Sequence, residues 1–241
     1  MRTGPAERAG NGERVTAALT RAALANHLRA VIDRFAIGLV VDVGAHHGEY
    51  AKLMRGLGYG GQIISYEPVA SAFEELERAS ADDDGWSIHH MALGESDGDV
   101  EIRVSGSTNF SSSRTLNARG EALFPRARAV GTETVKARRL DGILNQHAAA
   151  GTDSPMLLKI DTQGSDLEVL EGASGVLDRV AAVQVEVPFQ PIYDGVAGFP
   201  ETLRALAGLG FGLSGVFPVS ADEGLRLIEV DCVAVRLDAP P

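Results

Sequence analysis

The 241-residue sequence contains one cysteine, Cys232, and lacks an apolar stretch of the about 18 residues that a membrane span requires. A single cysteine excludes an internal disulfide and agrees with the reducing cytoplasm, where we expect the protein to reside. The first residues form no hydrophobic signal core, so we expect neither export nor a membrane span. Basic residues are also few: 22 Lys and Arg against 33 Asp and Glu give a formal net charge of -11, which argues against nucleic acid as a partner.

Hydrophobic residues make up 44% of the chain and charged residues 23%, which is ordinary for a globular protein and excludes the disordered and fibrous classes. We expect residues 1–12, which are polar and contain glycine, to be disordered. In residues 13–37, apolar side chains recur at helical spacing and predict an N-terminal helical segment. Residues 38–241 are long enough for one α/β domain. The helical segment either packs on its own core or pairs with a second copy in a homodimer.

From residue 39 onward, short β-branched runs alternate with helical patterns, as is typical of a mainly parallel sheet with helices on both faces. The last two runs are joined by a short polar turn and predict an antiparallel hairpin. We therefore expect an α/β, Rossmann-like fold whose mainly parallel seven-stranded sheet ends in this hairpin. The seven strands are predicted at 39–43, 62–66, 86–91, 156–160, 182–187, 210–217 and 225–237, with two further strands at 99–104 and 133–138 and a long polar loop at 105–119.

The turn Gly44-Ala45-His46-His47-Gly48 follows the first strand, and Glu67 follows the second strand one helix later. This is the layout of a nucleotide site, in which glycines form a tight turn and an acid accepts the ribose hydroxyls. The middle glycine that admits a pyrophosphate is missing. Asp42, near the end of the first strand, is placed to take an ammonium group. These features favour a cationic nucleoside without phosphate, such as S-adenosylmethionine.

Five stretches carry a more specific pattern: Val41-Asp42-Val43-Gly44-Ala45-His46-His47-Gly48, Tyr66-Glu67-Pro68, Met91-Ala92-Leu93-Gly94, Arg139-Leu140-Asp141 and the run from Lys159 to Ala173. Over residues 38 to 237 the sequence thereby resembles the FkbM-type S-adenosylmethionine-dependent methyltransferases. The resemblance implies a class I methyltransferase fold and methyl transfer to hydroxyls of polyketides, sugars and related glycans or lipids.

The resemblance also implies which residues bind the cofactor: Asp42, Gly44, Ala45, His46, Gly48, Glu67, Ala92 and Leu93. The last two are expected around the adenine. His46 departs from the family pattern Gly-Ala-Asn-x-Gly, in which asparagine is usual at this position. A histidine can still form one hydrogen bond, so we expect cofactor binding to survive.

Asp161 and Glu186 end two neighbouring predicted strands, so their carboxylates should emerge at the same rim of the sheet. One interpretation is a metal site for Mg²⁺ or Mn²⁺ that activates the acceptor hydroxyl. In the other, Asp161 caps the next helix and Glu186 pairs with a cation. Without a metal, a catalytic base is needed; the candidates are Asp161, Glu186 and His147, although His147 can equally face solvent.

Four polar or aromatic residues are candidates for contacting the acceptor: Gln163, Asn109, Ser111 and Tyr193. Asn109 and Ser111 lie in the polar loop, which can also be a solvated surface loop. Two alternatives to an O-methyltransferase stay open. One is a non-catalytic S-adenosylmethionine-binding module, and the other is an NAD-dependent oxidoreductase, which would need the missing pyrophosphate glycine.

Overall fold

The computed structural model describes residues 5–146 and 154–238. The helices are α1 (Pro5–Phe35), α2 (Glu49–Gly56), α3 (Ala70–Ser80), α4 (Ala118–Leu123), α5 (Leu140–Gln146), α6 (Asp166–Gly172) and α7 (Phe199–Gly208). The strands are β1 (Leu39–Val43), β2 (Gln62–Tyr66), β3 (Trp86–His89), β4 (Ala92–Leu93), β5 (Gly98–Ser105), β6 (Ala129–Arg138), β7 (Met156–Ile160), β8 (Val180–Pro188), β9 (Phe211–Ala221) and β10 (Leu227–Arg236).

The main sheet has seven strands in the order β3-β2-β1-β7-β8-β10-β9. Neighbours from β3 to β8 are parallel, whereas β10 is antiparallel to both β8 and β9. The predicted class I methyltransferase fold is therefore confirmed, including its terminal hairpin. The chain leaves β1 toward β2 on one side and returns later to place β7 on the other. Ligands of such sheets bind beyond the carboxyl ends of the strands at this switch point.

Both faces of the sheet are covered, which explains why every residue of β1 and β7 is buried. On one face, Val40 and Leu157 pack with apolar residues of α1 and α2. On the other face, Val41 and Leu158 pack with residues of α5, α6 and α7. The strands thus form a rigid central layer that holds the residues at their carboxyl ends in place.

A second sheet of three strands, in the order β4-β6-β5, lies outside the predicted architecture. The strand predicted at 86–91 ends at His89, and β4 joins β6 in the second sheet instead. Ile102 of β5 packs with Val69 and Ala72 at the start of α3, which anchors the small sheet beside the main one.

The helix α1 packs on the edge strand β9 of its own chain. Leu24, Leu28 and Val31 are buried, and His27 Nε2 lies 2.9 Å from Ser214 Oγ. This is the first of the two arrangements that the sequence allowed. Among the described helices, none is both long and apolar enough to cross a membrane.

Candidate functional site

The turn between β1 and α2 is a tight, fully hydrogen-bonded structure. Gly44 has a φ of 72°, and a Cβ there would lie 1.8 Å from the carbonyl oxygen of Asp161, so only glycine fits. The five N–H groups of residues 44–48 all donate to oxygen atoms of the protein. A pyrophosphate binds through free N–H groups at such a turn, and here they are occupied. The geometry thus disfavours a dinucleotide.

Glu67 is the acid that follows β2, and it is only 5% exposed. Its two carboxylate oxygens accept hydrogen bonds from the backbone N–H groups of His46 and Val69, both at 2.8 Å. Burial raises the pKa of the Glu67 carboxyl to about 7, although these two hydrogen bonds act in the opposite direction. Each oxygen keeps a lone pair with which it can accept a hydroxyl of a ribose.

A cavity of about 900 Å³ opens beyond the carboxyl ends of β1, β2 and β7. This volume is near the upper end for small-molecule sites, so the cavity can hold two ligands side by side. Six of the eight predicted cofactor residues line it: Gly44, Ala45, His46, Glu67, Ala92 and Leu93. Gly48 lies behind the turn, where a Cβ would come within 2.5 Å of the Trp86 ring.

Asp42, which was predicted to contact a ligand ammonium group, is not among the residues that line the cavity and has its partners within the protein. Its side chain is fully buried, and Oδ1 lies 3.1 Å from Lys159 Nζ. Its other oxygen accepts a hydrogen bond from Ser65. The ammonium group that Asp42 contacts is therefore supplied by the protein itself.

Lys159 on β7 is a site residue that sequence reasoning missed. Its Nζ donates to the carbonyl oxygen of Gly44 at 2.9 Å and lies 3.7 Å from Asp161 Oδ2. Although burial lowers the pKa of this ammonium, the charges of Asp42 and Asp161 outweigh that effect and raise the pKa. A lysine in a strand that is otherwise apolar and buried was the available signal, because such a charge requires a partner.

Asp161 and Glu186 emerge at the same rim, as predicted, and the side chain of Gln163 lies between them. Gln163 Nε2 is 3.0 Å from Asp161 Oδ1 and 3.0 Å from Glu186 Oε2, so its two hydrogens reach both carboxylates. Burial raises the pKa of the Glu186 carboxyl well above its usual range, and the charge of Asp161 raises it further. An amide rather than an open coordination position thus separates the two acids.

Tyr193, which was predicted to contact the acceptor, is not among the residues that line this cavity and instead supports Gln163. Its side chain is 5% exposed, and its hydroxyl lies 3.0 Å from Gln163 Oε1. The α6 helix is not capped by Asp161 either, because its N-cap residue is Ser165, whose N–H donates to Thr162 Oγ1. Asp161 is therefore left facing the cavity.

The polar loop predicted at 105–119 is fastened across the cavity, and we call residues 106–117 the strap. Thr108 Oγ1 lies 2.7 Å from His46 Nε2, which ties the strap to the cofactor turn. At the other end, Ser112 donates to the carbonyl oxygen of Gln163 at 2.7 Å, and Arg114 forms an ion pair with Glu168. The strap thereby bridges the turn after β1 and the turn after β7.

The remaining predicted residues divide between the strap and the undescribed part of the chain. Asn109 and Ser111 line the cavity, and both are held by partners inside the loop, Ser107 and Ser105 respectively. His147 lies outside the described residues. Metal-binding side chains of the described residues converge in one group of three, His46, His47 and Glu49, and not at Asp161 and Glu186.

Comparison with known proteins adds the following similarities. The methyltransferase FkbM domain matches residues 42–213. The 2-O-methyltransferase NoeI of Sinorhizobium fredii (strain NBRC 101917 / NGR234) is 24% identical over 200 residues, which cover 78% of this chain and 79% of NoeI. The magnesium protoporphyrin IX methyltransferase (ChlM) structure from Synechocystis PCC 6803 matches with 11% identity and a TM-score of 0.48, covering 90% of this chain and 80% of that one. Aeropyrum pernix fibrillarin matches with 13% identity and a TM-score of 0.44, covering 83% and 66%.

Proposed function

The chain belongs to the FkbM methyltransferase family, and on that premise we propose that it methylates a hydroxyl oxygen of a sugar, a glycan or glycolipid, or a polyketide-like product. The protein is an S-adenosylmethionine-dependent methyltransferase. Oxygen as the acceptor atom is supported by the relative NoeI, which is named as a 2-O-methyltransferase. The N–H groups of the turn 44–48 already donate hydrogen bonds within the protein, and Glu67 is buried beside them. Both features fit a nucleoside that carries no phosphate.

The observation that carries the proposal is the Asp161–Gln163–Glu186 array at the rim of the cavity. When bound, S-adenosylmethionine supplies an electrophilic methyl group on a positively charged sulfur. The task that remains for the protein is to align an acceptor hydroxyl and to take its proton. Alignment alone can contribute roughly 7–11 kcal/mol to lowering the barrier.

In our account Asp161 takes the proton of the acceptor hydroxyl as that oxygen gains the methyl group, whose bond to the sulfur of the bound cofactor would break and leave a neutral thioether. Asp161 is 37% exposed toward the cavity, and Gln163 fixes the orientation of its carboxylate. Burial and the charge of Asp161 raise the pKa of Glu186 and disfavour its ionised form, so we assign it to orienting Gln163 and the acceptor and not to the role of the base. Activation by Mg²⁺ or Mn²⁺ is the weaker alternative, since the Gln163 amide would have to leave its position between the two acids.

Methyl transfer from labelled S-adenosylmethionine to a panel of glycosides and polyketide-like alcohols tests the proposal. Asp161→Asn keeps the hydrogen bond to Gln163 but cannot accept the proton, so we expect kcat to fall about 100-fold or more. Cofactor affinity should stay within about threefold of wild type, since no cofactor contact is removed.

Exhaustive chelation distinguishes the base from the metal. Our account expects full activity after chelation, whereas loss of activity that Mg²⁺ or Mn²⁺ restores would establish the metal route. Tight cofactor binding without transfer to any acceptor would instead favour the non-catalytic module.

A further inference from the structure

A row of polar side chains crosses the buried centre of the main sheet. The register pairs Ser65 with Asp42, Asp42 with Lys159, and Lys159 with Gln184 on four adjacent strands. Gln184 follows Ala182 by two residues, and Ala182 packs with α1 and α2, so Gln184 faces the same side of the sheet. The polar row therefore lies on the face that these two helices cover.

Two groups near the end of this row have no hydrogen-bond partner among the described residues. They are the hydroxyl of Tyr50 and Oε1 of Gln184, and both side chains are buried, at 8% and 4% exposure. Gln184 Nε2 donates to Asp231 at 3.1 Å, which identifies the free end of the amide as its oxygen. Buried polar atoms in folded proteins are almost always paired, and because these two side chains line the cavity, a ligand bound there can supply their partners.

Tyr50, Gln184 and Asp231 all line the 900 Å³ cavity. Glu67, Ala92 and Leu93 follow β2 or lie in β4, whereas Gln184 and Asp231 lie on β8 and β10, beyond β7 in the sheet order. The lining of this cavity also includes an apolar wall formed by Leu24 of α1, Leu53 of α2 and Val219 of β9.

We propose that Tyr50, Gln184 and Asp231 form an acceptor subsite that binds two adjacent ring hydroxyls of a sugar. The inference deepens the proposed function and rests on it for the identity of the bound molecule as the methyl acceptor. Gln184 Oε1 and the Asp231 carboxylate accept hydrogen bonds, so the ligand must present donors. The apolar wall suits the C–H face of a pyranose ring.

The charges around this subsite favour a ligand with neutral hydrogen-bond donors over an ionic ligand. The Lys159 ammonium neighbours Gln184 in the register, and it would repel a cationic amine. Asp231 would in turn repel an anionic group. Ring hydroxyls satisfy both conditions, and they also supply the donors that the two unpaired atoms lack.

Binding of four methyl pyranosides, those of glucose, galactose, mannose and fucose, tests the subsite without relying on methyl transfer. The glycosides are titrated into protein saturated with S-adenosylhomocysteine and followed by saturation-transfer NMR and calorimetry. The variants are Gln184→Leu and Tyr50→Phe, with Gln62→Leu on the exposed start of β2 as the matched control. Thermal unfolding of each variant establishes that it is folded.

We expect at least one glycoside to bind wild type and the control alike. In each subsite variant its affinity should fall about tenfold, as expected for one lost hydrogen bond. Affinity for S-adenosylhomocysteine should stay within about twofold of wild type. The subsite proposal is overturned if no glycoside binds wild type, if the variants bind glycosides like wild type, or if either variant loses the adenosyl ligand instead.

The two proposals fail separately. Glycoside binding that depends on Gln184 and Tyr50, but without methyl transfer, would sink the proposed function and leave the subsite standing. Methyl transfer at the wild-type rate in both variants would refute the subsite and leave the proposed function standing.

Discussion

Lys159 shows at the residue scale how the site depends on a buried charge pair. Its ammonium lies between Asp42 and Asp161 and also donates to the Gly44 carbonyl, so one side chain joins the strand centre to the cofactor turn. Removing one member of a buried ion pair leaves the other charge uncompensated. Replacing both members is far less costly.

We therefore predict that Lys159→Met lowers the free energy of unfolding by about 3–5 kcal/mol. The double variant Asp42→Asn/Lys159→Met should recover most of this loss, because no buried charge is then left alone. Urea unfolding of the wild type, the single variant and the double variant measures both effects. Equal stabilities of the single and double variants would show that the pair does not have this role.

Glu67 gives a second prediction at this scale, which concerns pH. Burial raises its pKa in the folded state from an ordinary 4.5 to about 7, so folding favours the protonated form. The resulting stabilisation is present below about pH 4.5 and is lost as the pH rises through about 7. Between about pH 5 and about pH 8, the free energy of unfolding of the wild type should therefore fall by up to about 3 kcal/mol more than that of Glu67→Gln.

Urea unfolding of the cofactor-free protein at both pH values measures this difference. Glu229 and Asp231 also have raised pKa values, about 7 and about 6, so the comparison between wild type and variant isolates Glu67. If both proteins lose the same stability over this range, Glu67 is ionised in the folded state and the assignment is wrong.

At the scale of elements, the strap joins the turn after β1 to the turn after β7. Ser112, which is 2% exposed, donates to the Gln163 carbonyl and accepts from the N–H of Arg114. Ser107 is also in the strap, but its hydroxyl donates a hydrogen bond to Asn109 Oδ1 within the strap itself. The two serines therefore form a matched pair for testing the fastening.

We predict that Ser112→Ala raises the KM for the acceptor about fivefold, the cost of about one hydrogen bond, with less effect on cofactor affinity. Hydrogen exchange of residues 106–114 should become faster in Ser112→Ala and remain as in wild type in Ser107→Ala. Identical exchange in the two variants would mean that the strap is held by other contacts.

The elements that could be predicted from the sequence are those with strong local patterns. The strands 39–43, 62–66 and 156–160 are mainly apolar runs, each interrupted by a polar residue, and their observed bounds agree with the prediction. The small sheet could not be foreseen, because β4 has two residues and takes its partner from β6, far along the chain. Pairing of that kind depends on tertiary contacts that no local period encodes.

The sequence likewise allowed only part of the candidate site to be predicted. The rule that ligands lie beyond strand ends identified Glu67, Asp161 and Glu186. It could not identify Gln184 or Tyr50, which lie inside a strand and a helix and reach the cavity through the side chain alone. A glutamine inside the buried strand β8 is the signal that was available for Gln184.

On the scale of the whole molecule, the carboxyl edge of the main sheet supports a large cavity. Its lining includes residues after β1 and β2, residues after β7 and on β8, and Leu24 of α1. The helix that packs on β9 thus also contributes to the cavity in which we propose that the acceptor binds. Cofactor binding should therefore require the turn 44–48 and Glu67 but not the α1 side.

Calorimetric titration of S-adenosylmethionine tests the central claim most directly. Our account predicts one site per chain in the wild-type protein and binding at least about tenfold weaker in Glu67→Ala, because the ribose hydroxyls lose their acceptor. Gln62→Leu, on the exposed start of the strand that leads to Glu67, should bind like wild type. Absence of binding in the wild-type protein, or unchanged binding in Glu67→Ala, would contradict the account.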